Sequence, residues 1–176
     1  KFLAGLARRL TEAIGTTKIP SVSEKLGYMA AQASMVEEML SGMEASGSKY
    51  GEWWVPNKHF MYSAQVLTQD LYPQFVNAIR ELSGGALIML PSSIEDFKDP
   101  ALKKIIHTTQ RAATMAPEDK VKFLKACWDA VGSEFGSRHQ QYEMFYAGAR
   151  FVTAGHSFRT YDWNSATGMV EHLLGT

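Results

Sequence analysis

Cysteine is nearly absent from this chain. The single one, Cys127, cannot close an internal disulfide, so nothing asks for an oxidising compartment, and a cytoplasmic location is expected. It stands between Ala126 and Trp128 in an apolar helical stretch and reads as a buried structural thiol rather than a nucleophile. A charge excess is also missing: 18 Lys and Arg balance 18 Asp and Glu, which argues against a general nucleic-acid binder. No run approaches the ~18 apolar residues of a membrane span; the most notable, residues 86–90, is Ala-Leu-Ile-Met-Leu. No signal peptide is visible. The five histidines (His59, His107, His139, His156 and His172) show no His-x-x-x-His or Glu-x-x-His pairing, so no metal is expected. Neither a Gly-x-x-x-x-Gly-Lys phosphate loop nor a Gly-x-Ser-x-Gly elbow occurs.

What is present is helical periodicity. Phe2, Leu3, Leu6, Leu10 and Ile14 predict a first helix that Gly15 ends. The chain starts inside that helix at Lys1, as a piece cut from a longer protein would. Ser21-x-x-Glu24 has the form of a capping box, and Leu26, Met29, Ala33, Val36, Leu40 and Met43 then make a long seam to about residue 46. Residues 47–57 break the pattern, and the adjacent Trp53 and Trp54 either anchor another domain or subunit or fold back onto this one. Val66, Leu67, Leu71, Phe75, Val76, Ile79 and Leu82 mark a third helix, with Pro73 expected to kink or restart it. Residues 86–90 follow as a short buried segment with no evident partner strand. Ser92 or Ser93 caps a turn, Pro100 opens a modest helix, and Pro117-Glu118-Asp119 opens a strong one. Its seam, Val121, Leu124, Trp128, Val131 and Phe135, runs on toward Tyr142 and Phe145. The expected fold is all-α, an antiparallel four-helix bundle over 1–148, followed by a C-terminal arm and short helix over 149–176.

Residues 132–148 read as a helix with two glycines, Gly132 and Gly136, inside it. Each costs about 1 kcal/mol against alanine, so close helix packing or a large flat ligand is implied. Ser133, Glu134, Ser137, Arg138 and His139 crowd the same span, and Glu134 and Arg138 are spaced as an intrahelical ion pair. Glu81-Leu-Ser-Gly84-Gly85 is a helix end, either an ordinary cap or a bare backbone offering N–H groups to a phosphate or ribose. Residues 151–164 show no helical period and mix aromatic with polar groups, which makes them the pocket candidate. A subunit-contacting arm is the other reading of the same segment.

The stretch Gly132-Ser-Glu-Phe-Gly-Ser-Arg-His-x-x-Tyr-Glu-x-Phe-Tyr-Ala-Gly148 resembles the oxygenase component of two-component, reduced-flavin-dependent aromatic hydroxylases, the 4-hydroxyphenylacetate 3-monooxygenase and chlorophenol 4-monooxygenase family. Phe2-Leu-Ala-Gly-Leu-Ala, Val22-Ser-Glu-Lys-Leu-Gly and Ser83-Gly-Gly-Ala-Leu-Ile-Met-Leu-Pro-Ser agree with it, and the likeness runs in order through nearly the whole chain. The tail Gly155-His-Ser-Phe-Arg-Thr-Tyr-Asp-Trp-Asn is more like the halophenol branch. The resemblance implies the C-terminal domain of an acyl-CoA-dehydrogenase-like fold, usually assembled as a homotetramer. It implies FAD, delivered as FADH2 by a separate flavin reductase, with molecular oxygen as co-substrate. A C4a-hydroperoxide of the flavin would hydroxylate, and from a halogenated ring could dehalogenate, a phenolic substrate. The catalytic arginine and histidine would lie upstream, leaving no catalytic residue here.

By the same likeness the cofactor-binding residues are Gly84, Gly85, Gly136, Ser137 and Arg138. Glu81 replaces the glutamine of the superfamily's Gln-x-x-Gly-Gly motif. Ser23-x-x-Leu26-Gly27 only partly matches its Arg-x-x-Phe-Gly motif, so no site is assigned there. Glu134 takes a structural or flavin-positioning role. Phe158 would stack on the phenol, Asn164 would border the pocket, and His156 and Arg159 are further substrate-binding candidates. Two rivals remain: a flavin-dependent dehydratase or dehydrogenase of a CoA ester on the same fold, and a non-enzymatic helical oligomerisation module.

Overall fold

Glycine and proline set the helix boundaries where the chain's chemistry leaves little choice. In the computed structural model, which describes residues 1–175, helix α1 (Phe2–Ile14) stops at Gly15, whose φ of 85° turns the chain out of the helix. Helix α2 (Pro20–Ala45) begins at its proline, one residue before the expected capping box, because Pro20 already has the φ a first turn needs. Ser23 instead donates its hydroxyl to the Thr17 carbonyl. Helix α3 (Lys58–Ser83) starts where Asn57 Oδ1 accepts from the amides of His59 and Phe60, and it continues through Pro73 without a break. Helix α4 (Pro100–Thr109) is capped by Asp99, and α5 (Pro117–Val131) carries Glu118 and Asp119 in its first turn. Ser93 and Asp96 form a reciprocal capping box on the short turn Ile94–Phe97.

Four expectations need correction. Residues 47–57 are not plain loop: strands β1 (Ser48–Tyr50) and β2 (Trp53–Val55) pair antiparallel, with Tyr50 opposite Trp53. The fold is mostly helical with this one two-stranded sheet among the described residues. Aromatic side chains at 50, 53 and 54 favour a pleated ribbon, and Gly51, at φ 62°, supplies the turn. Second, residues 86–90 are not a buried segment. Gly84–Leu87 form a 3-10 turn in which Leu87 is buried, while Ile88 is 81% exposed. Third, Gly132 lies outside any helix interior: it caps α5, and a new helix, α6 (Glu134–Phe145), begins two residues later. Fourth, residues 151–164 do have a helical period: a helix, α7 (Arg150–Thr160), covers most of them, and the expected short final helix, α8 (Trp163–Leu174), starts within them.

The chain divides into two compact units. One comprises Lys1–Met35 and Asp70–Glu143. Its core gathers Leu6, Ala7 and Leu10 of α1, Leu71, Val76 and Ile79 of α3, and Val121, Leu124, Cys127 and Val131 of α5, all buried. The seams of α1, α3 and α5 therefore bury over most of their length, while Phe2, Trp128 and Phe135, expected on them, are exposed. The seam of α2 does so less completely: only Met29 is buried, and Leu40 is exposed. The other unit comprises Val36–Gln69 and Met144–Thr176, of which Thr176, the last residue of the expected arm, lies outside the described residues. No helix is long and apolar enough to cross a membrane among the described residues.

Candidate functional site

In the second unit, α7 is held by a buried amide. Gln69, 4% exposed, donates from Nε2 to the carbonyls of Met144 (2.9 Å) and Gly148 (2.7 Å) and accepts at Oε1 from the Thr153 hydroxyl (2.8 Å). One side chain thus satisfies the Met144 carbonyl at the end of α6 and the Gly148 carbonyl of the connection beyond it, and ties both to the first turn of α7. From there α7 runs to Tyr161, whose extended backbone breaks the helix. Asp162 Oδ1 then accepts from the Ser165 amide and starts α8.

That corner makes an aromatic wall. Trp163 Nε1 donates to the Phe158 carbonyl at 2.8 Å, which pins the indole across the corner. The Phe158 and Trp163 rings lie 5.4 Å apart, Trp163 and Tyr161 meet edge-on at 4.8 Å, and Tyr161 and His59 lie 5.4 Å apart. Together with Val66 these residues line an apolar cavity of about 420 Å³, roomy enough for a substituted benzene ring. A more polar cavity of about 610 Å³, lined among others by Asn57, Lys58, Thr160 and Asp162, shares His59 and Tyr161 with it.

Of the four expected substrate residues, only Phe158 lines the aromatic cavity. His156 stacks on Tyr62, with ring centroids 4.7 Å apart, and its Nδ1 receives a hydrogen bond from the Arg159 guanidinium at 2.9 Å. Asn164 is exposed in the first turn of α8, its carbonyl accepting from Thr167. Sequence reasoning missed His59 and Val66 as cavity residues and placed Tyr161 and Trp163 in its pocket segment without singling them out. The aromatic run marked the last two in general terms. Nothing marked His59, which meets Thr160 across a separation of 101 residues.

The expected cofactor residues fall in the first unit. Gly84 and Gly85 are exposed at the end of α3; Gly84 has φ 51°, and a Cβ there would meet nothing within 4 Å. Arg80 donates to the Val131 carbonyl and ties this turn to the α5–α6 corner. At that corner Gly136 is buried, and a Cβ on it would stand 2.5 Å from the Asp129 oxygen and 2.9 Å from that of Ala130. The glycine is therefore required by the chain's own backbone. Ser137 is exposed, and Arg138 faces Glu134 at 3.6 Å in an exposed ion pair one turn apart. Glu81 pairs with Lys25. Tyr72, which meets His139 edge-on at 6.0 Å, has its phenol pushed up, first by burial and then by the Glu143 carboxylate. Burial drives the Cys127 thiol up to about 12, which suits a structural residue.

The family model for the C-terminal region of 4-hydroxyphenylacetate 3-hydroxylase, HpaB, matches residues 1–175. The chain belongs to the HpaB C-terminal family. Its relatives include the 4-hydroxyphenylacetate 3-monooxygenase oxygenase component of Pseudomonas aeruginosa, 29% identical over 99% of this chain and 35% of that protein. Another is the 4-nitrophenol 2-monooxygenase oxygenase component of a Rhodococcus species, 30% identical over 84% of this chain and 29% of that protein. The chain thus spans about a third of the length of the curated relatives it matches. A solved HpaB structure complexed with FAD and 4-hydroxyphenylacetate superposes with a TM-score of 0.91 at 23% identity, over 98% of this chain and 36% of that one. An archaeal 4-hydroxybutyryl-CoA dehydratase gives 0.86 at 14% identity, over 99% of this chain and 35% of that one. Both likenesses establish the HpaB C-terminal fold and no chemistry.

Proposed function

We propose that this HpaB-type domain is the C-terminal, flavin-site and assembly part of a monooxygenase that hydroxylates a substituted phenol, dehalogenating it where the leaving position carries a halogen. The aromatic cavity at the α7–α8 corner carries this reading. Phe158, Tyr161 and Trp163 present π faces and edges against which an aromatic ring can lie. Phe158 orients the ring; Asn164, His156 and Arg159, outside the cavity lining, border a substituent that extends beyond it. The two sequence relatives named above, both oxygenase components, support the aromatic hydroxylase over a dehydratase on the same fold.

The cofactor is FAD, received as FADH2 from a separate flavin reductase, with molecular oxygen as co-substrate. Bound reduced flavin and oxygen supply the electrophilic oxygen atom that a phenol accepts. The exposed, side-chain-free turn at Gly84 and Gly85 fits a nucleotide's approach, and Ser137 and Arg138, exposed beside buried Gly136, offer a hydroxyl and a cation to it. The acid–base and oxygen-activating residues lie in the part of the protein upstream of Lys1. The domain contributes helices to a four-helix bundle, and the protein assembles as a cytoplasmic homotetramer. The test supplies the full-length protein with FAD, a flavin reductase, NADH and a panel of phenols, and follows hydroxylated product by chromatography. Reductase-dependent product from at least one phenol is expected; none from any of them would overturn the proposal.

A further inference from the structure

The aromatic cavity has one imidazole in its wall, His59, and neighbouring hydrogen bonds decide which of its nitrogens carries the proton. Thr160 Oγ1 lies 3.0 Å from the His156 carbonyl oxygen and 3.2 Å from that of Ser157. Carbonyls only accept, so the single hydroxyl proton of Thr160 points to them. His59 Nδ1, 3.0 Å from the same oxygen, is then the donor. A neutral imidazole has one N–H, so its Nε2 keeps a lone pair. The partner near it, Ser63 Oγ, stands at 3.4 Å, long for an O–H donor, whose usual distance is about 2.7–2.8 Å. His59, a lining residue of the cavity, therefore carries an oriented acceptor that is only weakly engaged.

We propose that His59 is the polar recognition residue of this cavity, an inference that rests on reading the cavity as the ring site. Its Nε2 accepts a hydrogen bond from the hydroxyl of the bound phenol, while Phe158, Tyr161 and Trp163 hold the ring. His59 thereby selects rings that carry an O–H donor over rings of the same size that lack one. Thr160 is the positioning residue: it keeps the proton on Nδ1 and the acceptor toward the ligand. His59 enters the site through Asn57, which caps the first turn of α3 and accepts from the His59 amide at 3.0 Å.

Two substitutions separate recognition from a merely structural role. His59→Asn keeps an amide N–H where Nδ1 donates to Thr160 but stops short of the Nε2 position. His59→Gln places a carbonyl oxygen near the Nε2 position and gives up the Thr160 bond. Binding of phenol and of fluorobenzene to the full-length protein is measured by equilibrium dialysis, with thermal melts confirming that both variants fold. Loss of one neutral hydrogen bond should shrink the preference for phenol roughly 3- to 10-fold in His59→Asn and leave it within about 3-fold of wild type in His59→Gln. A preference that survives in His59→Asn, or falls as far in His59→Gln, overturns the role of His59 while leaving the ring site standing. Wild-type protein that binds neither ring removes both. Failure of the hydroxylation assay with ring binding intact would remove the monooxygenase reading and not this one.

Discussion

Replacing Gln69 with leucine removes a side chain of similar length and every hydrogen bond it makes. Three bonds of 2.7–2.9 Å are lost, and the carbonyls of Met144 and Gly148 lose a partner in a part-buried setting. Thr153 can turn its hydroxyl wholly to the Arg150 carbonyl, 3.0 Å away, so its loss is small. At about 1 kcal/mol per bond made to Met144 and Gly148, plus part of the ~1–3 kcal/mol desolvation of each orphaned carbonyl, the local cost is about 3–5 kcal/mol. Gln69→Glu should be worse at neutral pH, since a carboxylate would face two carbonyl oxygens with no N–H to give. Acidification should partly rescue it, because the protonated acid regains one donor. The assay is amide hydrogen exchange on the full-length protein, read in peptides covering 144–153. A 3–5 kcal/mol loss of local stability speeds exchange by about 10²-fold or more where opening is fast. Thr68→Val, which removes only bonds to the carbonyls of Ala64 and Gln65 within its own helix, should change these peptides little. Exchange within about 3-fold of wild type in Gln69→Leu would show that water serves those carbonyls as well as Gln69 does, and that the amide does not hold α7 in place.

Three further outcomes are expected. Gly136→Ala should destabilise by about 1–3 kcal/mol in denaturant unfolding, because the new methyl meets rigid backbone oxygens, whereas Gly168→Ala, with nothing within 4 Å, should gain up to about 1 kcal/mol from helix propensity. Phe158→Ala should weaken phenol binding by about 3- to 10-fold in the same dialysis assay and barely move the melting temperature, since the ring is 64% exposed. Cys127 should resist maleimide at pH 8 until the protein unfolds; and because its folded value, about 12, exceeds the ordinary 9.0, its contribution is intact below about 9 and lost as pH rises toward 12, so Cys127→Ala should flatten the alkaline decline in urea midpoint relative to its own neutral value.

The helices that bury a continuous seam were legible. Leu6 and Leu10, Val76 and Ile79, Val121 and Leu124 repeat at three and four residues and are buried in the structure. The caps at Ser93, Pro100 and Pro117 were legible too, because they act within one turn. The hairpin was missed because its six strand residues are too few to show an alternation, and because both faces of it are exposed or nearly so. Gly132 misled for a different reason. The apolar spacing runs from Val131 through Phe135 as if uninterrupted, while the carbonyls of Asp129 and Ala130 leave no room for the next helix to continue except against a bare Gly136.

The same logic explains why the site itself was only half visible. Helix α7 buries a single residue, Thr153, and leaves Phe151 and Phe158 exposed, so no apolar stripe announces it. Its hold on the fold is polar and long-range: Gln69 reaches carbonyls and a hydroxyl 75, 79 and 84 residues away. A glutamine inside a helical pattern reads as a solvent-facing position, and only the tertiary structure turns it into a buried one. Hydrogen bonds depend on direction as well as distance, so they fix the angle of α7 more narrowly than an apolar contact of the same strength would. That angle sets where Phe158, Thr160 and Tyr161 stand relative to His59. A helix carrying exposed aromatics toward a ligand cannot also spend them on its own core. Anchoring α7 through Gln69 and Thr153 leaves its aromatic rings available to the cavity.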